Sequence, residues 1–260
     1  MSDVLAISLH GMQQEMARVQ RISMNMANAT TPGYKRDVAY ALPLGGDFAA
    51  TVDALQNDGI SRRAARFSGA GVDGLVVRSD TRPSTLRTTG QSLDVALSST
   101  GYFEVATDDG PAYTRQGNWS LDARGRLVTA QGHPVMGQGG EIVLTRPNPV
   151  IDAAGRVFEA NGRDGAEAVP VAQLKVVQFE GLRALRPLGN GLVHADQPPS
   201  QLPDGDVQVR QGFLENSNVN SMHEMVQLIQ SMRHFESMQK VALGYDDMLG
   251  SAIRKLGDAA

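Results

Sequence analysis

The chain has 260 residues, 41% of them hydrophobic, a formal net charge of -4 and no cysteine. That is enough apolar material for one large core or two small ones, and it excludes a disulfide framework and a thiolate nucleophile. No basic run exceeds Lys35-Arg36 or Arg62-Arg63, which argues against a nucleic-acid partner. No stretch approaches the length of a membrane span, and the first residues lack a basic region followed by a continuous apolar run. Neither direct membrane insertion nor a cleavable secretion signal is expected.

Near the N-terminus, apolar residues fall at Leu5, Leu9, Met12, Met16, Val19 and Met26, with Ser23 in the one missing place. Steps alternating four and three predict an amphipathic helix with a heptad seam. The stretch NMANATTPGYKR, residues 25 to 36, then stops it. Pro32 cannot continue a helix and biases Thr31 toward extended geometry, while Gly33 permits the positive φ that reverses a chain. Asn28 and Thr30 are candidate caps, and Lys35 and Arg36 would lie near the negative end of the helix dipole. The helix-terminating residues are therefore Asn25, Asn28, Thr31, Pro32, Gly33 and Tyr34.

Residues 31 to 79 read as an extended connector, Gly- and Ala-rich from Asp37 onward. Within it, GAGVDG at 69 to 74 has glycines at dinucleotide-loop spacing, but the flanking segments are not the strand and helix such a loop joins. From Leu93 the segments LDVAL, YFEVAT, AYTR, RLVTA, EIVL, RVFEA and AQLKVVQF are β-like, punctuated by Asp- and Gly-bearing turns. LDARGRLVTA (121 to 130) and IDAAGRVFEA (151 to 160) agree at five of ten positions, predicting two similar hairpins in one antiparallel domain. After Pro198, Pro199 and Pro203 comes a second amphipathic helix. Its apolar positions are Met225, Leu228, Met232, Phe235, Met238, Ala242, Tyr245, Leu249, Ile253 and Leu256, and Ser221 with Glu224 has capping-box spacing.

Besides Met1, nine of the eleven methionines lie in the two terminal segments, where an adaptable side chain suits several packing partners. The fold class expected is α+β. The N- and C-terminal α-helices pair as a coiled-coil-like inner layer, and a mainly antiparallel β domain is inserted between them. Residues 1–30 and 213–260 form the helical core, 31–79 the connector and 80–212 the outer β domain. The subunit-interface candidates are Leu5, Leu9, Met12, Met16, Val19, Met26, Met225, Leu228, Met232, Phe235, Leu249 and Ile253.

No catalytic constellation emerges. His10, His133, His194, His223 and His234 make no metal-ligand spacing, there is no nucleophile elbow or phosphate-binding loop, and Asp108-Asp109 and Asp246-Asp247 are adjacent residues that point apart. No enzyme activity, cofactor or metal is expected.

Three motifs in order resemble one family. NMANATTPGYKR is similar to the N-terminal signature of the flagellar rod and hook axial proteins, TLRTTGQSLDVAL with GYFEVATDDGPAYTRQGNWSLDARGRLVTAQGHPV (85 to 135) to the rod-type outer domain, and GFLENSNVNSMHEMVQLIQSMRHFE (212 to 236) to the C-terminal signature. The resemblance implies a non-enzymatic subunit of the basal-body rod that packs with copies of itself and neighbouring rod proteins in the periplasm. It further implies export by the flagellar type III apparatus and torque transmission from motor to hook and filament. Length and GHPVMGQGGEI (132 to 142) look most like the proximal rod protein adjoining the distal rod, with SSTG at 98 to 101 a departure; the distal rod is the alternative. An enzyme with helical oligomerisation arms is the rival from another class.

Overall fold

A computed structural model describes residues 2–41, 75–159, 169–179, 185–195, 197–203 and 205–257. The chain divides into two compact units, Met1–Ala27 with Val219–Ala260, and Asn28–Asn218. The described fold is α+β, two long helices and mostly antiparallel strands.

The first unit is a helix pair, α1 (Ser2–Ala27) and α2 (Ser221–Gly257). The two pack side by side and run antiparallel, as three contacts establish. Asn25 Nδ2 donates to Glu224 Oε2 at 3.3 Å, His234 Nδ1 lies 2.9 Å from Glu15 Oε1, and a Cβ at Gly11 would stand 2.7 Å from the Met238 sulfur. Ten residues back along α1 is thus ten forward along α2. Among the described side chains, those buried on α1 are Ser8, Glu15, Ile22 and Asn25, and on α2 Glu224 and Ser231. This face keeps heptad spacing but sits one residue round from the apolar row Leu9, Met12, Met16 and Val19, so mostly polar residues meet across the pair.

The second unit is built on a six-stranded antiparallel sheet. Its strands run in the order Leu185–Gly189, Leu192–Ala195, Gly110–Thr114, Tyr102–Thr107, Val176–Gln178 and Ser200–Gln201. Alternation along each strand sends apolar side chains to both faces. Phe103, Val105 and Val176 join the main core with Trp119, Leu127 and Val157, while Tyr102, Tyr113, Val177 and Val193 form a smaller core opposite. Phe103 meets Trp119 edge-on, ring centroids 4.8 Å apart. Each fully buried large apolar side chain contributes about 1.5–3 kcal/mol.

The internal repeat folds as two matching hairpins. Asp122 Oδ1 accepts the amides of Arg124 and Arg126 and its Oδ2 takes Arg126 Nε at 2.8 Å; Asp152 does the same for Ala154 and Arg156, with Arg156 Nε at 2.7 Å. Gly125 and Gly155 hold φ of 76° and 78°, a left-handed geometry that glycine adopts freely. The match runs past the turns, because Leu144 N donates to Gly125 O and Leu174 N to Gly155 O. EIVL forms less strand than its composition suggests, since only Gly140–Glu141 is extended there, although Ile142 and Leu144 are core residues.

At the ends of the expected connector, Asp37–Ala41 pairs antiparallel with Leu75–Ser79. The GAGVDG stretch between them lies outside the described residues.

Candidate functional site

The two terminal motifs are organised by side chains that each reach far along the sequence. In the β-containing unit the turn begins at Asn28, whose carbonyl accepts Thr31 N at 3.1 Å and whose Oδ1 accepts Thr31 Oγ1 at 3.2 Å. Tyr34 N then donates to Thr31 O. Gly33 has φ 67°, and a Cβ there would stand 2.4 Å from the Arg115 carbonyl carbon and oxygen, so both conformation and space demand glycine. Its amide donates to Glu215 O at 2.7 Å, and the Tyr34 side chain beside it is buried.

Lys35 carries the chain into a buried ionic cluster. Its Nζ donates to Glu215 Oε1 at 2.6 Å and to Arg82 O at 2.8 Å. Glu215 also accepts Ser84 N at 2.9 Å and lies 3.6 Å from Arg115 Nη1, and the Arg115 guanidinium sits 5.3 Å from the centre of the Tyr102 ring. Lys35 was expected near the end of the helix dipole; its ammonium instead serves this carboxylate. Burial lowers the Lys35 ammonium below its ordinary range, with Glu215 opposing, and burial likewise lowers Arg115. Burial also pushes the Tyr102 phenol up to about 12, with Arg115 partly offsetting it. Burial raises Asp80 too, but hydrogen bonds from Arg82 outweigh it and leave that carboxyl below its usual range.

Asn218 completes the cluster. Its Oδ1 accepts Arg36 N at 2.7 Å, its Nδ2 donates to Asp80 O at 3.0 Å, and Asp80 N returns to Arg36 O at 2.7 Å. Three segments distant in sequence, 33–36, 80–85 and 215–218, are therefore bound by charge-assisted and amide hydrogen bonds. Removing one partner from such a buried pair costs about 3–5 kcal/mol.

In the helical unit, Asn25 is buried against Glu224. The cap of α2 differs from the expected Ser221–Glu224 box: Asn220 Oδ1 accepts His223 N at 3.1 Å and Asn220 O accepts Glu224 N at 3.0 Å. Because α2 starts at Ser221, Asn220 holds the N-cap place, for which asparagine is at least as good as serine. Glu224 is thereby released to face Asn25.

The interface candidates divide by exposure. Leu9 and Met16 are 54% and 61% exposed, Met225 and Met232 48% and 53%. Met12, Val19, Met26, Leu228 and Phe235 are partly covered, and the side chains of Leu5, Leu249 and Ile253 lie outside the description. Met222, Val226 and Ile229 add to the exposed apolar surface of α2. The sequence reading missed Lys35, Arg115 and Glu215 as a group, whose members lie 80 and 100 residues apart along the chain. It also missed the hairpin through Asn190-Gly191, although Asn-Gly between apolar runs is a turn signal.

Among the described residues no group of three or more His, Asp or Glu is placed to hold a metal ion, and no helix is long and apolar enough to cross a membrane. What the arrangement offers is interlocked backbone and an exposed apolar helix surface.

Residues 210–255 match the family described as flagellar basal body rod FlgEFG protein C-terminal, and residues 96–163 match the flagellar hook protein FlgE/F/G D1 domain. The flagellar basal-body rod protein FlgF of Escherichia coli (strain K12) is 33% identical over 237 residues, covering 88% of each chain. FlgF of Rhizobium meliloti (strain 1021) is 30% identical over 257 residues, covering 97% of each. The flagellar basal-body rod protein FlgG of Agrobacterium fabrum (strain C58) is 30% identical over 265 residues, covering 97% of this chain and 98% of that one.

Proposed function

The chain belongs to the flagellar basal-body rod protein family, and from that premise we propose that its paired terminal helices are the layer through which subunits pack into the rod. It is a structural subunit of the bacterial flagellum, located in the basal-body rod that spans the periplasm and assembling there with other rod components. Family membership implies that it is no enzyme.

The observation that carries the packing role is the apolar surface of the helix pair. Leu9 and Met16 on α1, with Met222, Met225, Ile229 and Met232 on α2, stand in heptad steps on exposed surface. A row of that kind is covered in the working assembly by a neighbouring helix in coiled-coil-like packing. In this reading 1–30 and 213–260 are the inner core, 80–212 the outward β domain and 31–79 the connector. Torque passes through the helical layer, and the subunit reaches its place through the flagellar type III export apparatus.

The proximal position is favoured over the distal one by length and by GHPVMGQGGEI at 132 to 142. Relatives of both names are similar to this chain at nearly equal identity.

Met225→Asp with Met232→Asp tests the packing role. Both side chains are about half exposed, so the isolated protein should keep its helix content and its unfolding transition. In the rod the two carboxylates would be desolvated without partners, and cells should lack filaments. Normal rods would overturn the proposal. Imaging basal bodies with the subunit tagged decides between proximal and distal positions.

A further inference from the structure

The helix pair buries the wrong kind of side chain for stability alone. Glu15, Asn25, Glu224 and Ser231 lie inside it, and Glu15 Oε2 and Ser231 Oγ have no hydrogen-bond partner among the described residues. Leucine at these places would give a drier and stronger seam. Apolar heptads, however, repeat: a shift of seven residues replaces Leu9 by Met16 and Met225 by Met232, so apolar packing distinguishes poorly between registers.

We propose that the Asn25–Glu224 and Glu15–His234 contacts lock the register of α1 against α2, so that the outward apolar rows of both helices are presented in one stagger. The geometry penalises each alternative. Sliding α2 by seven residues in one direction sets Glu15 opposite Val241 and the Gly11 notch opposite Tyr245, and carries Glu224 past the end of α1. Sliding it the other way carries Asn25 past the start of α2. Either slip leaves a polar group without its partner and moves the two outward rows by about 10 Å relative to each other. The use of this stagger in assembly rests on the rod reading above; the register itself does not.

The chain has no cysteine, so Gln20→Cys with Ser251→Cys admits two spin labels at exposed helix positions. In the described register Gln20 lies opposite Ile229, which leaves an axial separation of about 33 Å to residue 251. The full-length protein with native seam residues should give one distance peak. Adding Asn25→Leu and Glu224→Leu should keep the helix content and create a second peak displaced by about 10 Å, with rod assembly in complemented cells falling at least about tenfold. Asn25→Asp with Glu224→Gln keeps an amide facing a carboxylate and should restore a single peak. A single unshifted peak in the leucine variant, a broad distribution with the native seam, or loss of helix content in the leucine variant would each overturn the lock. A second peak with normal assembly would keep the lock and overturn the rod packing surface instead.

Discussion

The β-containing unit has two apolar cores beside its ionic cluster, whereas the described buried side chains of the helical unit are polar except Ile22. In the first, Phe103, Val105 and Val176 fill one side of the sheet and Tyr102, Val177 and Val193 the other, although Val143, Val150, Val169, Val171 and Leu188 stay exposed. In the second, Ser8, Glu15, Asn25 and Ser231 lie within the helix pair, while Leu9, Met16, Met225 and Met232 face outward. The helical unit thus leaves large apolar side chains on its surface, the surface that the rod proposal covers with a neighbouring subunit. Stability and assembly should accordingly respond to different residues.

The largest effect is expected at the ionic cluster. Glu215→Ala leaves Lys35 and Arg115 buried without their carboxylate, and should destabilise the β-containing unit by about 3–5 kcal/mol in urea unfolding. Lys35→Met with Glu215→Leu should recover only part, because Arg115 stays uncompensated. A loss below about 1 kcal/mol for Glu215→Ala would place the cluster with the weak surface pairs.

Tyr102 gives a smaller, pH-dependent test. Its folded value is near 12 and its ordinary one 10.0, so its contribution is whole below pH 10 and disappears as the pH climbs through 12. A two-unit difference corresponds to about 3 kcal/mol at most. Lys35, lowered by burial, works in the opposite sense as the pH approaches its unfolded value. The comparison is therefore between the native protein and Tyr102→Phe, whose stabilities should diverge less steeply below pH 10 than above it. Parallel curves from pH 9 to 12 would disprove the coupling.

The matched hairpins should respond alike and modestly. Asp122→Ala and Asp152→Ala each remove a turn carboxylate that accepts two backbone amides and an arginine, and about 1–2 kcal/mol is expected from each in thermal unfolding. A much larger loss at one would show that the two copies have diverged in role.

The smallest effect on the isolated protein is expected at Met16. Met16→Gln should change its stability by less than about 0.5 kcal/mol and, on the rod proposal, still impair motility in a complementation assay, because Met16 is exposed in the isolated chain. A stability loss above about 2 kcal/mol would make Met16 a core residue and erase the contrast between the units.

Local chemistry was legible in the sequence. The NMANATTPGYKR stretch marked the end of α1, which stops at Ala27 before the Asn28–Thr31 turn, the Asp-Ala-x-Gly-Arg turns announced twin hairpins, and steps of three and four marked both helices. These properties depend on neighbours within a few residues. Which face of each helix turned inward was not legible, since rotating a heptad by one residue leaves its period unchanged, and the inward face is marked by long-range contacts such as Asn25 with Glu224, Glu15 with His234 and Gly11 with Met238. Lys35 gave no local sign of its partner, because Glu215 lies 180 residues away. Asn220 displaced Ser221 as the cap once the start of α2 was set. The sequence by itself thus determined the element types, the turns and the motifs that reveal the family. The tertiary structure decided which charges are buried together, how the six strands order and which helix face stays exposed. Those outcomes depend on contacts across the whole chain, where pairing and desolvation outweigh local preference.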